Sequence, residues 1–182
     1  MNEEDTMNAR NQILSGIRER RSIREFTSDT VPHEDLEKML SAMEAAPSAG
    51  NLQPWKFQVI LNPEVKKKLF LVSFSQQALV DAPVVFAISA YPSKSAEKYG
   101  HTGMNLFCIQ DTACVCQNLM LAAHSLGYGS VWIGVVHEQQ VAAVLELEST
   151  EKPAALIAVG KPKSPGGVYE RIPWRKITTF IE

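Results

Sequence analysis

Three arginines and a hydroxyl fall within five residues at Arg20-Arg21-Ser22-Ile23-Arg24. If the chain is extended there, a period of two puts Arg20, Ser22 and Arg24 on one side. Planar guanidinium forks match the charge and acceptor oxygens of a phosphate monoester, and the hydroxyl adds a further donor. Taken alone, the run reads more readily as a solvated basic turn paired with Glu19 and Glu25. A second segment, Pro47-Ser48-Ala49-Gly50-Asn51-Leu52-Gln53-Pro54-Trp55, combines small residues with amides and hydroxyls. Small residues let a backbone approach a flat ligand, and Ser48, Asn51 and Gln53 suit its polar edge. By composition alone it is a polar loop before a strand.

A third segment, Gly127-Tyr128-Gly129-Ser130-Val131-Trp132-Ile133-Gly134, fails the dinucleotide fingerprint G-x-G-x-x-G. The last glycine of that pattern would fall on Trp132, and the segment leaves a helix to enter a strand, the reverse of the required order. There is no Walker A sequence either, so a nicotinamide cofactor would not be held by a Rossmann domain. His33 and His124 read as structural. Cys114 and Cys116 point to different sides of a helix and so do not form a metal pair. Trp55, Phe57 and Trp132 read as core, with the alternative that an aromatic lines a pocket.

The elements around these segments follow from periodicity. Ile13, Leu14 and Ile17 predict a first helix running into the arginines. Pro32, Glu34 and Asp35 suit a helix start, and Leu36, Met39, Leu40 and Met43 continue it at helical spacing as far as Pro47. Alternation at Trp55, Phe57, Val59 and Leu61 predicts a strand, and Asn62-Pro63 caps a helix to about Phe74. The apolar run from Pro83 to Ile88 predicts a strand covered on both faces, hence a sheet with helices on both sides. A long apolar helix follows from about Met104 to Leu126, with Gly127 as its stop. It should be buried nearly all round, by the core of one chain or by core and partner together. Strands at Ser130–Val136 and Ala154–Val159 flank a short helix, Glu138–Leu147. The segment after Gly160 lacks the periodicity to fold on its own and should wrap another surface.

The 182 residues suit one domain, spanning 1–182, with 1–10 frayed and 161–182 an extended tail. Eighteen basic and 20 acidic residues nearly cancel, so no whole-molecule field favours nucleic acid or an anionic membrane, and any anion site must be local. The start MNEEDTMNAR has neither the basic end nor the apolar run of a secretion signal, and no uninterrupted apolar segment approaches the ~18 residues of a membrane span. The expectation is a cytoplasmic protein. Cys108, Cys114 and Cys116 fit reduced, packed thiols.

In order and spacing the motifs resemble the nitroreductase family. They comprise the R-R-S-x-R start, the P-S-x-x-N-x-Q-P-W loop, and Ile109-Gln110-Asp111 through Gln117 to Ala123 leading into G-Y-G-S-V-W-I-G. Ala158-Val159-Gly160-Lys161-Pro162 and Arg171-Ile172-Pro173 complete the set, which covers about residues 12–178.

The resemblance implies an α+β fold with a central, mostly antiparallel sheet flanked by helices, and a homodimer with FMN at the interface and a tail reaching the partner. Arg20, Arg21, Ser22 and Arg24 would hold the phosphate and part of the ribityl chain and ring edge, with Arg171 closing from the tail. Pro47, Ser48, Ala49 and Asn51 would come from the other subunit, while Ile133 and Gly134 would lie beside the ring. The long helix would then be an interface helix.

The activity implied is hydride transfer from NADH or NADPH, through flavin N5, to a small acceptor such as a nitroaromatic or quinone, with no catalytic protein side chain demanded. Between Pro92 and Gly103 the chain is shorter than in larger relatives, leaving the acceptor pocket open or covered by this segment through Tyr99 and His101. The alternatives are a specialised flavoenzyme of the same fold (a dehalogenase, a dehydrogenase or a flavin-consuming enzyme) and a non-catalytic FMN-binding module.

Overall fold

The computed structural model describes residues 12–182; the start expected to fray lies outside the described residues. Helix α1 occupies 12–19 and ends at the arginines. Helix α2, His33–Glu44, starts after Pro32, carries Glu34 and Asp35 in its first turn and buries Leu36, Met39 and Met43. Strand β1 is Trp55–Ile60. Helix α3, Pro63–Val72, is capped as expected, the Asn62 side chain accepting the Glu64 N–H at 2.9 Å. A single turn, α4 (Ala78–Asp81), precedes β2 (Val84–Ala90).

Helix α5, Pro92–Thr102, passes through a π-helical turn, Gly103–Phe107, into α6, Cys108–Ser125. Strand β3 (Gly129–Gly134), helix α7 (Glu138–Val144) and strand β4 (Lys152–Gly160) follow. Beyond them the tail carries one 3-10 turn, Trp174–Lys176, and is exposed along almost all its length.

The sheet order is β1-β2-β4-β3, and each neighbouring pair is antiparallel. Strand β2 lies inside it and is buried along its whole length, so its side chains supply two cores by alternation. Val84, Phe86 and Ile88 pack with Ile157 and Val159 beneath Met39 and Met43 of α2 and Val115, Leu119 and Met120 of α6. Val85 and Ala87 face the other way, with Leu156, Ala158, Val131 and Ile133, beneath Leu69, Leu79 and Val141. Helices on both sides of the sheet, expected from the apolar β2 run, are what the molecule has.

Three expectations change. The segment from Pro92 to Gly103, for which no element is expected, is helical with a break at Gly100 (φ 54°, ψ −138°), and only Pro92 and Ser95 of α5 are buried. The corner into α6 depends on Gly103, where a Cβ would stand 2.2 Å from the Ser95 carbonyl oxygen. Second, α6 is not buried all round by the core of its own chain, which sets aside the one-chain alternative and leaves that of core and partner together. It covers the sheet with Cys108, Thr112, Val115, Cys116 and Leu119, while Ile109 remains 48% exposed and Leu121 and Ala122 half-buried. By length and composition one 18-residue window within Pro92–Ser125 is apolar enough to cross a bilayer, but one side of α6 is the lid of a core. Third, Trp132 is 40% exposed. Its neighbours Val131 and Ile133 take the core face of an edge strand, so Trp132 takes the other.

Candidate functional site

The arginines are positioned by the end of α1. Arg20 still donates its backbone N–H to the Gly16 carbonyl at 3.0 Å, and Arg21 turns back so that Nη1 donates to the carbonyls of Arg18 (2.6 Å) and Arg20 (3.0 Å). A cation at those free carbonyls also meets the negative end of the helix dipole. The chain then becomes extended. Ser22 forms a parallel bridge to Ser130, and Ile23 donates its N–H to the Ser130 carbonyl at 2.9 Å. Gly129 admits this close approach, since a Cβ there would come within 2.6 Å of the Ile23 side chain.

A cavity of about 110 Å³ is lined by Arg18, Arg20, Arg21, Ser22, Gly167, Tyr169 and Arg171. The tail thus returns Arg171 to the cluster from the far end of the chain, through a turn with Gly166 at φ 77° packed on Ile23 and Arg21. Burial holds the Arg20 guanidinium below its ordinary pKa, and the like charges of Arg171 and Arg21 add to the effect. Its Nε is buried without a hydrogen-bond partner, and among the described residues no carboxylate lies within ion-pairing distance of Arg20, Arg21 or Arg171. Converging, partly desolvated, unneutralised arginines are a site for an anion.

Arg24 is exposed and is not among the residues lining this cavity. Period two does not reach Arg20, because that residue is still in the helical turn; it begins at Ser22, and buried Ile23 sets Arg24 on the open side further along.

The second segment is a loop stiffened by tethers. Gly50, Asn51 and Gln53 have φ of 59°, 57° and 49°, and the left-handed region costs a non-glycine residue about 1 kcal/mol or more. Ser48 Oγ accepts the Gln53 N–H at 2.9 Å, and Gln53 Nε2 donates to Asn51 Oδ1 at 3.3 Å. Lys94 of α5 donates to the Gln53 carbonyl at 3.3 Å, and Lys98 and Tyr99 stand against Gly50. Asp111 of α6, only 6% exposed, accepts the Ala49 N–H at 3.0 Å. Pro47 and Asn51 are exposed, Ser48 and Ala49 half-buried.

At the end of β3, Ile133 points its side chain into the core while Gly134 has open space where a Cβ would be. Of this pair, it is the bare backbone of Gly134, beside exposed Trp132, that can accept a flat ring against it.

These parts do not meet in one chain. The loop is tied to Asp111 in the first turn of α6, whereas Arg20 and Arg21 pack beside Gly127, Tyr128 and Gly129 beyond its end. Residues 111 and 127 are separated by about 24 Å at ~1.5 Å per helical residue. Sequence reasoning did not assign roles to Asp111, Arg18 or Tyr169. The available signal for Asp111 was an acid on the apolar face of a helix, where an unpartnered charge would be too costly.

Comparison with known proteins is consistent across sequence and structure. The model of the Nitroreductase family matches residues 17–79 and 70–161. A protein of Archaeoglobus fulgidus, provisionally named NADH dehydrogenase/NAD(P)H nitroreductase, is 35% identical over 163 residues, 87% of this chain and 90% of its own. The FMN reductase (NADPH) of Bacillus subtilis is 26% identical over 176 residues, 90% of this chain and 71% of its own. The crystal structure of nitroreductase A from Vibrio parahaemolyticus superposes with a TM-score of 0.85 at 26% identity, covering 94% of this chain and 76% of that one.

Proposed function

Because the chain belongs to the nitroreductase family, we propose that it is an FMN-dependent oxidoreductase that takes reducing equivalents from NADH or NADPH and delivers them to a small acceptor such as a nitroaromatic or quinone. The observation that carries this reading is the cavity of Arg20, Arg21, Ser22 and Arg171, whose charges are gathered without a carboxylate among the described residues to balance them. Names of relatives point the same way, one being an FMN reductase and another an NAD(P)H nitroreductase.

The donor set fits FMN. Arg20 and Arg171 would take the phosphate, with Ser22 adding a hydroxyl and Arg21 a charge fixed by the end of α1. Arg24, two residues along the extended segment, would reach toward the ribityl chain or ring edge. Gly134 offers open backbone for the ring, and Ile133 fixes that backbone by burying its side chain. The chemistry supplied by bound FMN is hydride transfer through its ring. The protein's task is to orient the ring, keep one face open and place positive charge where negative charge grows.

The unit that does this is a homodimer. An isologous interface presents the same patch from both chains, so the arginine half of one protomer can meet the loop half, Pro47, Ser48, Ala49 and Asn51, of its partner. The exposed apolar residues Ile13, Leu14 and Ile17 of α1, with Leu106 and Ile109 near the start of α6, supply a surface for it. Between α1, α2 and α6 runs an apolar groove of about 590 Å³ lined by Ile13, Gly16, Ala42, Ala45 and Leu121. A reduced nicotinamide donor also suits the cytoplasmic location expected from the sequence.

Anaerobic addition of NADH or NADPH to the FMN-loaded dimer tests the reading. Bleaching of the flavin absorbance by either donor, reversed by adding a quinone or nitroaromatic, is the expected result. A fully loaded protein that neither donor bleaches would be an FMN-binding module, and the reductase assignment would fall.

A further inference from the structure

We propose that Asp111 is a positioning residue for the flavin site of the opposite subunit. It fixes the Pro47–Asn51 loop from the buried face of α6, so that each protomer's Asp111 governs its partner's cofactor and not its own. The inference rests on the proposed FMN site and dimer, and adds to them a residue and a direction of action.

The loop cannot hold its shape by local preference. Asn51 and Gln53 both sit in the left-handed region without being glycine, and the contacts of Ser48, Gln53 and Asn51 lie within the same exposed segment. The Lys94 contact comes from the end of a long, flexible side chain on exposed α5. Asp111 differs from all of these. It is buried, it stands on an 18-residue helix whose core face carries Val115 and Leu119, and its Oδ1 accepts the backbone N–H of Ala49 from 62 positions away. Its Oδ2 is buried with no partner among the described residues, so the carboxylate bears a desolvation cost that a residue kept only for packing would not need. Burial pushes its carboxyl above the ordinary range, and the Ala49 hydrogen bond pulls the other way. What this arrangement secures is the position of one backbone strip, and the strip faces outward.

The role needs an acceptor at Oδ1, not a charge. Asp111→Asn keeps the acceptor and relieves the burial of charge, so it should bind FMN within about threefold of the parent, whereas Asp111→Ala should weaken binding at least tenfold, about 1.4 kcal/mol. Ala49→Pro removes the donor of the same hydrogen bond from the loop side. Ser48, at φ −143° and ψ 153°, already has the extended backbone that a following proline requires. It should match Asp111→Ala and carries the test if the latter does not fold.

The direction of action is tested by mixing differently tagged subunits. A mixed dimer of one Arg20→Ala chain and one Asp111→Ala chain has both defects in one site and neither in the other. Titration with FMN, followed by flavin fluorescence, should then show one site of parental affinity per dimer, which neither homodimer possesses. Action within one chain would leave each site with one defect and no parental site; that result overturns the proposal, as does an Asp111→Ala dimer that binds FMN like the parent. Parental affinity in the Arg20→Ala homodimer would instead remove the phosphate assignment, a separate failure.

Discussion

The two halves of the candidate site solve the problem of holding a ligand in opposite ways. The arginine half is built from charge: Arg20, Arg21 and Arg171 converge from a helix end and an exposed tail, repel one another, and have no counter-ion among the described residues. The loop half is built from backbone: Gly50, Asn51 and Gln53 hold left-handed conformations in a loop tethered by hydrogen bonds, one of them donated by the Ala49 N–H to a buried carboxylate. The first arrangement is incomplete without an anion and should be settled by it; the second is shaped in advance. Affinity should therefore reside mainly in the arginines, and orientation in the loop and at Gly134.

The largest expected effect breaks the charge-built half. Arg20→Ala combined with Arg171→Ala removes two charge-assisted contacts, each worth roughly 1.5–3 kcal/mol, and should weaken FMN binding by about a hundredfold or more. The apoprotein should melt no lower than the parent, because like charges are being separated. Arg24→Ala, outside the cavity, should weaken FMN by less than about tenfold. Calorimetric titration of the apoproteins with FMN measures both, and a double variant within tenfold of the parent would move the phosphate elsewhere.

A smaller effect is expected at Gly134, where orientation and stability can be separated. A methyl group there meets no protein atom within 4 Å, and replacing a glycine at a compatible backbone reduces the freedom of the unfolded chain. Gly134→Ala should thus melt at or slightly above the parental temperature yet bind FMN about tenfold more weakly, since the methyl occupies the space for the ring. Unchanged affinity with unchanged stability would leave that space without a function.

Much of this arrangement was legible because its causes are local. Alternation revealed β1, the unbroken apolar run revealed an interior strand, and Asn62-Pro63 marked the start of α3. Arg20 to Ser22 and Arg171 line one cavity, while Arg24 lies outside it because Arg20 closes the last turn of α1 and the extended stretch begins only at Ser22. Other features depend on what the rest of the chain does. Helix α5 is short and mostly polar; it forms as a cover leading into α6, broken at Gly100 and turning at a corner that Gly103 fits. Trp132 looks like core by residue type, and only the assignment of β3 to an edge leaves it exposed. Asp111 stood inside a recognised motif without a role, because its partner is a backbone N–H 62 positions away.

The smallest expected effect concerns the scaffold behind the arginines. Tyr128, just beyond α6 and beside Arg20, donates its hydroxyl hydrogen bond to Asp35 of α2 at 2.7 Å. Burial, then that hydrogen bond, pushes the Tyr128 hydroxyl up to about 12 from 10.0, while the same bond holds the Asp35 carboxyl below 3.8. The folded protein binds the tyrosine proton more tightly than the unfolded chain. This stabilisation is complete below pH 10 and is lost as pH rises towards 12. The Asp35 contribution has the opposite sense, present above its unfolded value and lost as pH falls through the lower folded one. Tyr128→Phe should flatten both limbs of a urea-midpoint profile against pH. At neutral pH it should lower the midpoint only modestly and leave FMN affinity within about twofold, because the phosphate contacts come from Arg20 and Arg171 and not from their backing. A large loss of affinity in this variant would mean that the arginine half is preformed by its scaffold, and the contrast between a charge-built half and a backbone-built half would not hold.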